Sequence, residues 1–524
     1  MAEKLDEFTT KFVENMYDQM TSDDSNKVKT ETPLSKNEAI KNIKVNSEIY
    51  KVLGYKKYFE EADGQFRLTE IDEHGNTCYH KLINNSFLGV FLCTINALED
   101  KNPKNKDGMT PLHFASINGN SEICNLIIEC VKDKNPRDNN QVTPLHYAAE
   151  NGHLSICELI TKHVRDQNPS DEDGTTPLHM AVNEGHFDIC QLLLQNTKNR
   201  NPKDNKGRTP LHLAAMDGKF QIFELISKGV KDLNPRADNF WTPLHLAAKN
   251  GHLSICELIT KHERDQNPSD EDGTTPLHMA VNEGHFDICQ LLLQNTKNRN
   301  PKNNKGRTPL HLAAMDGKFQ IFELISKGVK NLNLRDDNFW TPLHHAAKGN
   351  HWKICKLILK HISDKNPGDK TGLTPLHVAA RFGHVSVFEV FYVKDKNPAR
   401  NDGTTPLHLA AFNGHLDVFL WIIGKIKEIN PKNNQGETPL HFAAKEGYLQ
   451  MCQKIIERVA DKNPKDDFGN TPLHFAAAVG RIGVCELILK NVDERNPKNN
   501  EGKTPLDFAD GHKNLHRLFN KRNL

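Results

Sequence analysis

The four residues Thr-Pro-Leu-His begin at Thr110, Thr143, Thr176, Thr209, Thr242, Thr275, Thr308, Thr341, Thr374, Thr405, Thr438 and Thr471, and a variant, Thr-Pro-Leu-Asp, begins at Thr504. The spacing is 33 residues throughout, apart from 31 between Thr374 and Thr405. A degenerate copy, Thr77-Cys78-Tyr79-His80, stands 33 residues before Thr110. Such a chain cannot gather its apolar residues into one common core, because every copy must pack in the same way against the copies before and after it. The 524-residue length, which would otherwise suggest three or four globular domains, therefore reads as one array of about 14 units over residues 77–524.

The unit at 143–175 shows how a copy folds. Thr143 suits a helix N-cap and Pro144 the first helical position, where a missing N–H costs nothing. Leu145, Ala148 and Ala149 make the apolar side of a short helix, and Gly152 is the expected left-handed stop. A second helix follows with Leu154, Ile156, Cys157, Leu159 and Ile160 at helical spacing. Asn168-Pro169 then forces extended backbone, and Ser170 to Gly174 has the composition of a hairpin turn. The prolines are thus punctuation: of 26, 13 lie in the tetrad and 12 in the Asn-Pro pair.

Motif, period and helix pattern together resemble the ankyrin repeat. The resemblance implies an all-α solenoid of about 14 helix-turn-helix units joined by hairpin turns, starting at 77, 110, 143, 176, 209, 242, 275, 308, 341, 374, 405, 438, 471 and 504. It further implies a concave groove, formed by hairpin tips and first helices, that binds other proteins.

Charge and hydropathy limit the partners. With 68 Lys+Arg against 67 Asp+Glu, there is no broad positive field for a phosphate backbone, so nucleic acid is not expected. No run reaches the ~18–20 apolar residues of a membrane helix, and Glu3, Asp6, Glu7 and Glu14 occupy the place of a signal peptide's basic start. A soluble, cytoplasmic or nuclear monomer is expected. Thirteen of the 27 histidines hold the fourth tetrad position, and seven more follow the helix-stopping glycine or its substitute (His153, His186, His252, His285, His351, His384, His415). A residue repeated once per unit serves the unit, so each tetrad imidazole is expected to hydrogen-bond its threonine and nearby backbone. Eight of the 11 cysteines share one position of the second helix, where Phe or Leu stands in the other units, which marks an apolar core site. Neither a metal site nor a disulfide is expected, nor any cofactor or catalytic group.

In ankyrin-like units the residues flanking the turn glycine, and those just before the helix-stopping glycine, face the groove. Two units depart there: Phe240-Trp241 and Phe339-Trp340 replace the turn glycine and its follower, which puts the local turn geometry in question. Both pairs can be interface anchors or can pack on the adjacent hairpin. Met216, Met315, Phe382 and Phe412 are further apolar candidates, and Arg381 with Phe382 is expected close to Trp340. Trp352 and Trp421, on second helices, read as core.

Residues 151–245 and 250–344 are identical at 90 of 95 positions, differing only at Val164/Glu263, Asp204/Asn303, Asp232/Asn331, Pro235/Leu334 and Ala237/Asp336. The copied block is either neutral slippage or a device for bivalent binding. The unit at 374–404 lacks two residues near the end of its second helix, where a bend between sub-arrays is expected. Residues 1–76 lie outside the repeat; their amphipathic stripe (Leu5, Phe8, Phe12, Val13, Met16, Tyr17, Met20) and the helical pattern of 39–62 read as an N-terminal cap or a docking segment. The expected function is a non-enzymatic scaffold that binds protein partners through the groove; the alternative is an adaptor that recruits an enzyme through residues 1–76.

Overall fold

The structure is a computed structural model that describes residues 59–62, 65–68, 72–77, 79–80, 83, 100–509 and 512–520. The amphipathic stripe of residues 5–20 lies outside the described residues. The chain divides into two compact bodies, Met1–Ala247 and Ala248–Leu524, and the boundary falls within the helix Pro243–Asn250.

Each body is a helical repeat solenoid. In the first, the helix pairs run Pro111–Asn118 with Ser121–Cys130, Pro144–Glu150 with Leu154–His163, Pro177–Glu184 with Phe187–Asn196, and Pro210–Asp217 with Phe220–Ser227. In the second, the pairs from Pro276–Glu283 with Phe286–Asn295 to Pro472–Ala478 with Ile482–Leu489 repeat the plan. The expected proline starts and glycine stops are in place. The core is made of equivalent positions: Leu145, Ala148, Ala149, Ile156, Cys157 and Ile160 are fully buried, and their described counterparts are buried in the other repeats up to the one that begins at Thr471, while Leu506 in the last one is half-buried. The cysteine position is apolar core, and burial pushes the Cys157 and Cys190 thiols up to about 12.

Each tetrad imidazole is a two-ended connector. Nδ1 of His146 accepts the Thr143 backbone N–H at 3.1 Å and lies 2.9 Å from the Thr143 hydroxyl. That bond requires a lone pair on Nδ1, so the proton sits on Nε2, which donates to the Thr175 carbonyl at 3.1 Å, 29 residues on. The second histidine set works backwards: His153 Nε2 reaches the Ile117 carbonyl of the preceding repeat at 3.0 Å, and His186 that of Glu150 at 3.0 Å. Gly119 lies under the His153 ring at φ +75°, and a Cβ there would come within 2.6 Å of it, so this glycine is demanded by both backbone and neighbour. The Asn-Pro asparagine has a use the pattern did not indicate. Its side chain caps the next repeat's first helix, Asn135 Oδ1 accepting the Leu145 N–H at 3.0 Å.

The short repeat keeps these bonds. Its second helix, Val385–Val390, is cut to 6 residues, while His377 Nε2 still meets the Thr404 carbonyl at 3.0 Å and His415 Nε2 the Arg381 carbonyl at 3.0 Å.

Two expectations need correction. Phe59–Ala62 is a strand, paired antiparallel with Gln65–Leu68, not the end of a helix; the intervening sequence Asp63-Gly64 is a favoured hairpin pair. Trp352 is 39% exposed at the start of its helix, because the first residue of each second helix lies at the rim of the core, as partly exposed Phe187 and Phe286 also show.

Candidate partner-binding surface

The hairpin tips are rigid by construction. In the repeat ending at Val142, Asp138 Oδ1 accepts the Asn140 and Val142 N–H groups at 2.9 and 2.8 Å, closing the turn. Successive tips are bonded to one another: Asn139 N–H donates to the Asp107 carbonyl at 2.9 Å, and its side-chain amide to the Lys106 carbonyl at 2.9 Å. A surface assembled on these tips has its backbone fixed before any partner arrives.

The two aromatic tips keep the glycine geometry. Phe240 and Phe339 adopt φ +60° and +64°, and the turns close normally, with Phe240 N–H to the Ala237 carbonyl at 2.9 Å and Phe339 N–H to Asp336 at 2.8 Å. Gln141 does the same at φ 63°, a third substitution at this position that sequence reading passed over because the residue is not aromatic. A side chain in this region costs about 1–2 kcal/mol relative to glycine.

The candidate residues divide by environment. Phe240 is 47% and Phe339 38% exposed, each beside a guanidinium, Arg236 at 5.5 Å and Arg335 at 5.6 Å from the ring centroids. Trp241 and Trp340 are half-buried. Trp340 stacks on His344 at 5.6 Å and tilts against His345 at 5.2 Å, while Trp241 stacks on His245 at 6.4 Å. Each indole thus packs on the tetrad of the following helix and leaves one side open, so packing and exposure coexist. Met216, Phe382 and Phe412 are exposed, and Met315 is half-buried. Phe412 meets Phe442 edge-to-face at 5.9 Å. Trp421 is half-buried against Phe388 at 5.3 Å.

In the second body two of these positions, Met315 and Trp340, line one recess of about 780 Å3, together with the tip residues Asp336, Asp337, Asn338, Asp369, Lys370 and Thr371 and the helix residues His345 and Lys348. Arg381 and Phe382 are not part of its wall. Lys348 connects the two places, lining the recess while its Nζ stands 5.8 Å from the Phe382 ring. At the floor, buried Asp336 is answered from two sides, its Oδ2 3.3 Å from His345 Nε2 and 3.9 Å from Arg307 Nε. Burial, with Arg307 and Lys348 nearby, pushes His345 down to about 4, so the neutral imidazole donates to the carboxylate.

In five tetrad histidines neither ring nitrogen is left over for a substrate or a metal. Burial pushes His146, His179, His212, His311 and His344 down to about 4, and both ring nitrogens of each are engaged within the array.

A family model described as ankyrin repeats (3 copies) matches residues 73–171, 162–237, 224–301, 244–336, 295–369, 359–435, 390–466 and 440–522. No curated protein matches the chain.

Proposed function

Because the chain belongs to the ankyrin-repeat family, whose arrays are typically non-catalytic modules for protein–protein interaction, we propose that it is a non-enzymatic scaffold that binds protein partners through the hairpin tips and first helices. The observation that carries this reading is the recess at Trp340, a concavity lined by the tip and helix-end positions of consecutive repeats, with Phe339, Phe382 and Phe412 exposed on the same side of the repeat pattern. Phe240, Trp241, Phe339, Trp340, Met216, Met315, Arg381, Phe382 and Phe412 are the contact residues of this reading. Aromatic and arginine side chains with one face packed and one open make good anchors, since little is lost in ordering them on binding.

Partners are proteins in this reading, nucleic acid is not among them, and the chain acts as a monomer in the cytoplasm or nucleus. Its eight core thiols suit a reducing compartment. Among the described residues no helix is long and apolar enough to cross a membrane. The test is parallel capture from native lysate with wild type and with Trp241→Ala/Trp340→Ala. A groove partner is depleted by the double variant; a set of captured proteins identical for both chains rejects the reading.

A further inference from the structure

The charges around Trp340 are unevenly satisfied. Among the described residues, Lys348, Lys370 and Arg381 form no ion pair; each rests instead against an aromatic ring, Lys370 Nζ 4.3 Å from the Phe339 centroid, Lys348 Nζ 5.8 Å and Arg381 5.9 Å from that of Phe382. All three are exposed. The carboxylates nearby are largely spent within the fold. Asp336 faces His345 and Arg307, and Asp369 accepts three hydrogen bonds, from Thr371 N–H at 2.8 Å, Thr371 O–H at 2.7 Å and Leu373 N–H at 3.0 Å. Asp337 at the rim is the remaining acid. The recess therefore has an apolar wall, Met315 and Trp340, with ammonium groups at its mouth.

Resting on the groove reading above and deepening it, we propose that this recess seats an acidic peptide segment: one apolar side chain enters against Met315 and Trp340, and flanking carboxylates meet Lys348, Lys370 and Arg381. The ring contacts hold these cations in place beforehand, and an incoming carboxylate meets them without displacing an existing partner.

The copied block makes the assignment specific to one tryptophan. In the sequence 99 residues earlier, Ala237 stands for Asp336, Leu246 for His345, Glu271 for Lys370, Asp272 for Thr371, Asn282 for Arg381 and Glu283 for Phe382. Trp241 and Trp340 thus sit in nearly identical repeats, and of the three cations only Lys348 has a cationic counterpart, Lys249, while Lys370 is replaced by an acid and Arg381 by an amide. The sequence that follows Trp241 therefore lacks two of the three cations that follow Trp340, so the duplication does not supply an acidic ligand with two equal sites.

The probe is a dye-labelled peptide with a central leucine flanked by glutamates, titrated into the full chain by fluorescence anisotropy, beside a control with lysine for every glutamate. The acidic peptide is expected to bind, and to weaken about tenfold or more in Lys348→Glu/Lys370→Glu and in Trp340→Ala. Binding also falls with added salt. The lysine exchanges are at exposed positions, so they keep the test open should Trp340→Ala perturb the fold. Equal binding of the two peptides, no binding of the acidic one, or indifference to the lysine exchanges overturns the proposal. If a native partner is lost in Trp340→Ala while the acidic peptide fails to bind, the groove reading stands and the acidic ligand alone is wrong.

Discussion

The Nε2 of His146 lies 3.1 Å from the carbonyl oxygen of Thr175, the residue directly before the next repeat's threonine. Its other nitrogen holds Thr143, so one imidazole fastens the start of its own helix to the start of the next. This bond recurs from His80 to Met109 through His212 to Trp241 in the first body, and from His278 to Arg307 through His474 to Lys503 in the second, and it makes the imidazole part of the wiring of each body.

His146→Ala leaves the Thr143 N–H and the Thr175 carbonyl without their partner in a buried site. We expect a loss of about 2–4 kcal/mol, from two unsatisfied polar groups and a cavity. In an array whose repeats contact only their neighbours, the damage is local. Hydrogen exchange should rise across residues 143–176 and stay at wild-type protection in distant repeats; uniform loss along the chain would contradict nearest-neighbour coupling.

Acid should unfold the array through the same histidines. Burial holds His113, His146, His278 and His377 at about 4 against an ordinary 6.5. Between those two values the unfolded chain binds more protons than the native one, so stability is whole above 6.5 and is lost as pH falls towards 4. Urea midpoints measured across that window should drop steadily with acidification. A midpoint independent of pH there would show that the imidazoles are not held neutral by the fold.

Gln141 occupies a left-handed turn position at φ 63° with an exposed side chain. Gln141→Gly is expected to stabilise the protein by about 1 kcal/mol, read from the urea midpoint. Phe339→Gly relieves the same strain and gives up the ring contacts to Arg335 and Lys370, so its gain should be smaller. A Phe339→Gly chain that is as stable as wild type yet binds its partner less well would mark this turn as one where strain is retained for binding.

Thiol labelling separates the cysteines. Cys124, Cys157, Cys190, Cys256, Cys289, Cys355, Cys452 and Cys485 are buried, and burial raises their thiols above the ordinary 9.0, whereas Cys130 is exposed. Under native conditions a thiolate-specific reagent should modify Cys130 rapidly and the eight core thiols only at the rate of local opening. Peptide mapping of the labelled chain checks this, and early labelling of Cys157 would refute it.

Much of the fold was legible because each local signal occurs a dozen times. Pro144, Gly152 and the tetrad histidine act within their own repeat, so period and composition fix their use. What stayed hidden depends on neighbours. That His153 reaches back to Ile117 and His146 forward to Thr175 cannot be told from two histidines in one repeat, and the capping amide of Asn135 was masked by the more conspicuous proline beside it. Trp352 read as core because the pattern gives a helical face but not where that face meets its rim. The cationic mouth near Trp340 was least legible, since Lys348 and Lys370 line it from consecutive segments, with Arg381 beside them only through the shared Phe382 ring, and their charge matters because most nearby acids are engaged elsewhere.

The shortened second helix Val385–Val390 carries a lesson about how such an array changes length. The histidine bonds that join repeats run between first helices, hairpins and interhelical turns, so removing two residues near Phe391 shifts the numbering of those bonds and leaves their distances intact. The distal end of the second helix is therefore a splice point: residues can be lost there, or a label inserted, while the histidine bonds between neighbouring repeats keep their lengths.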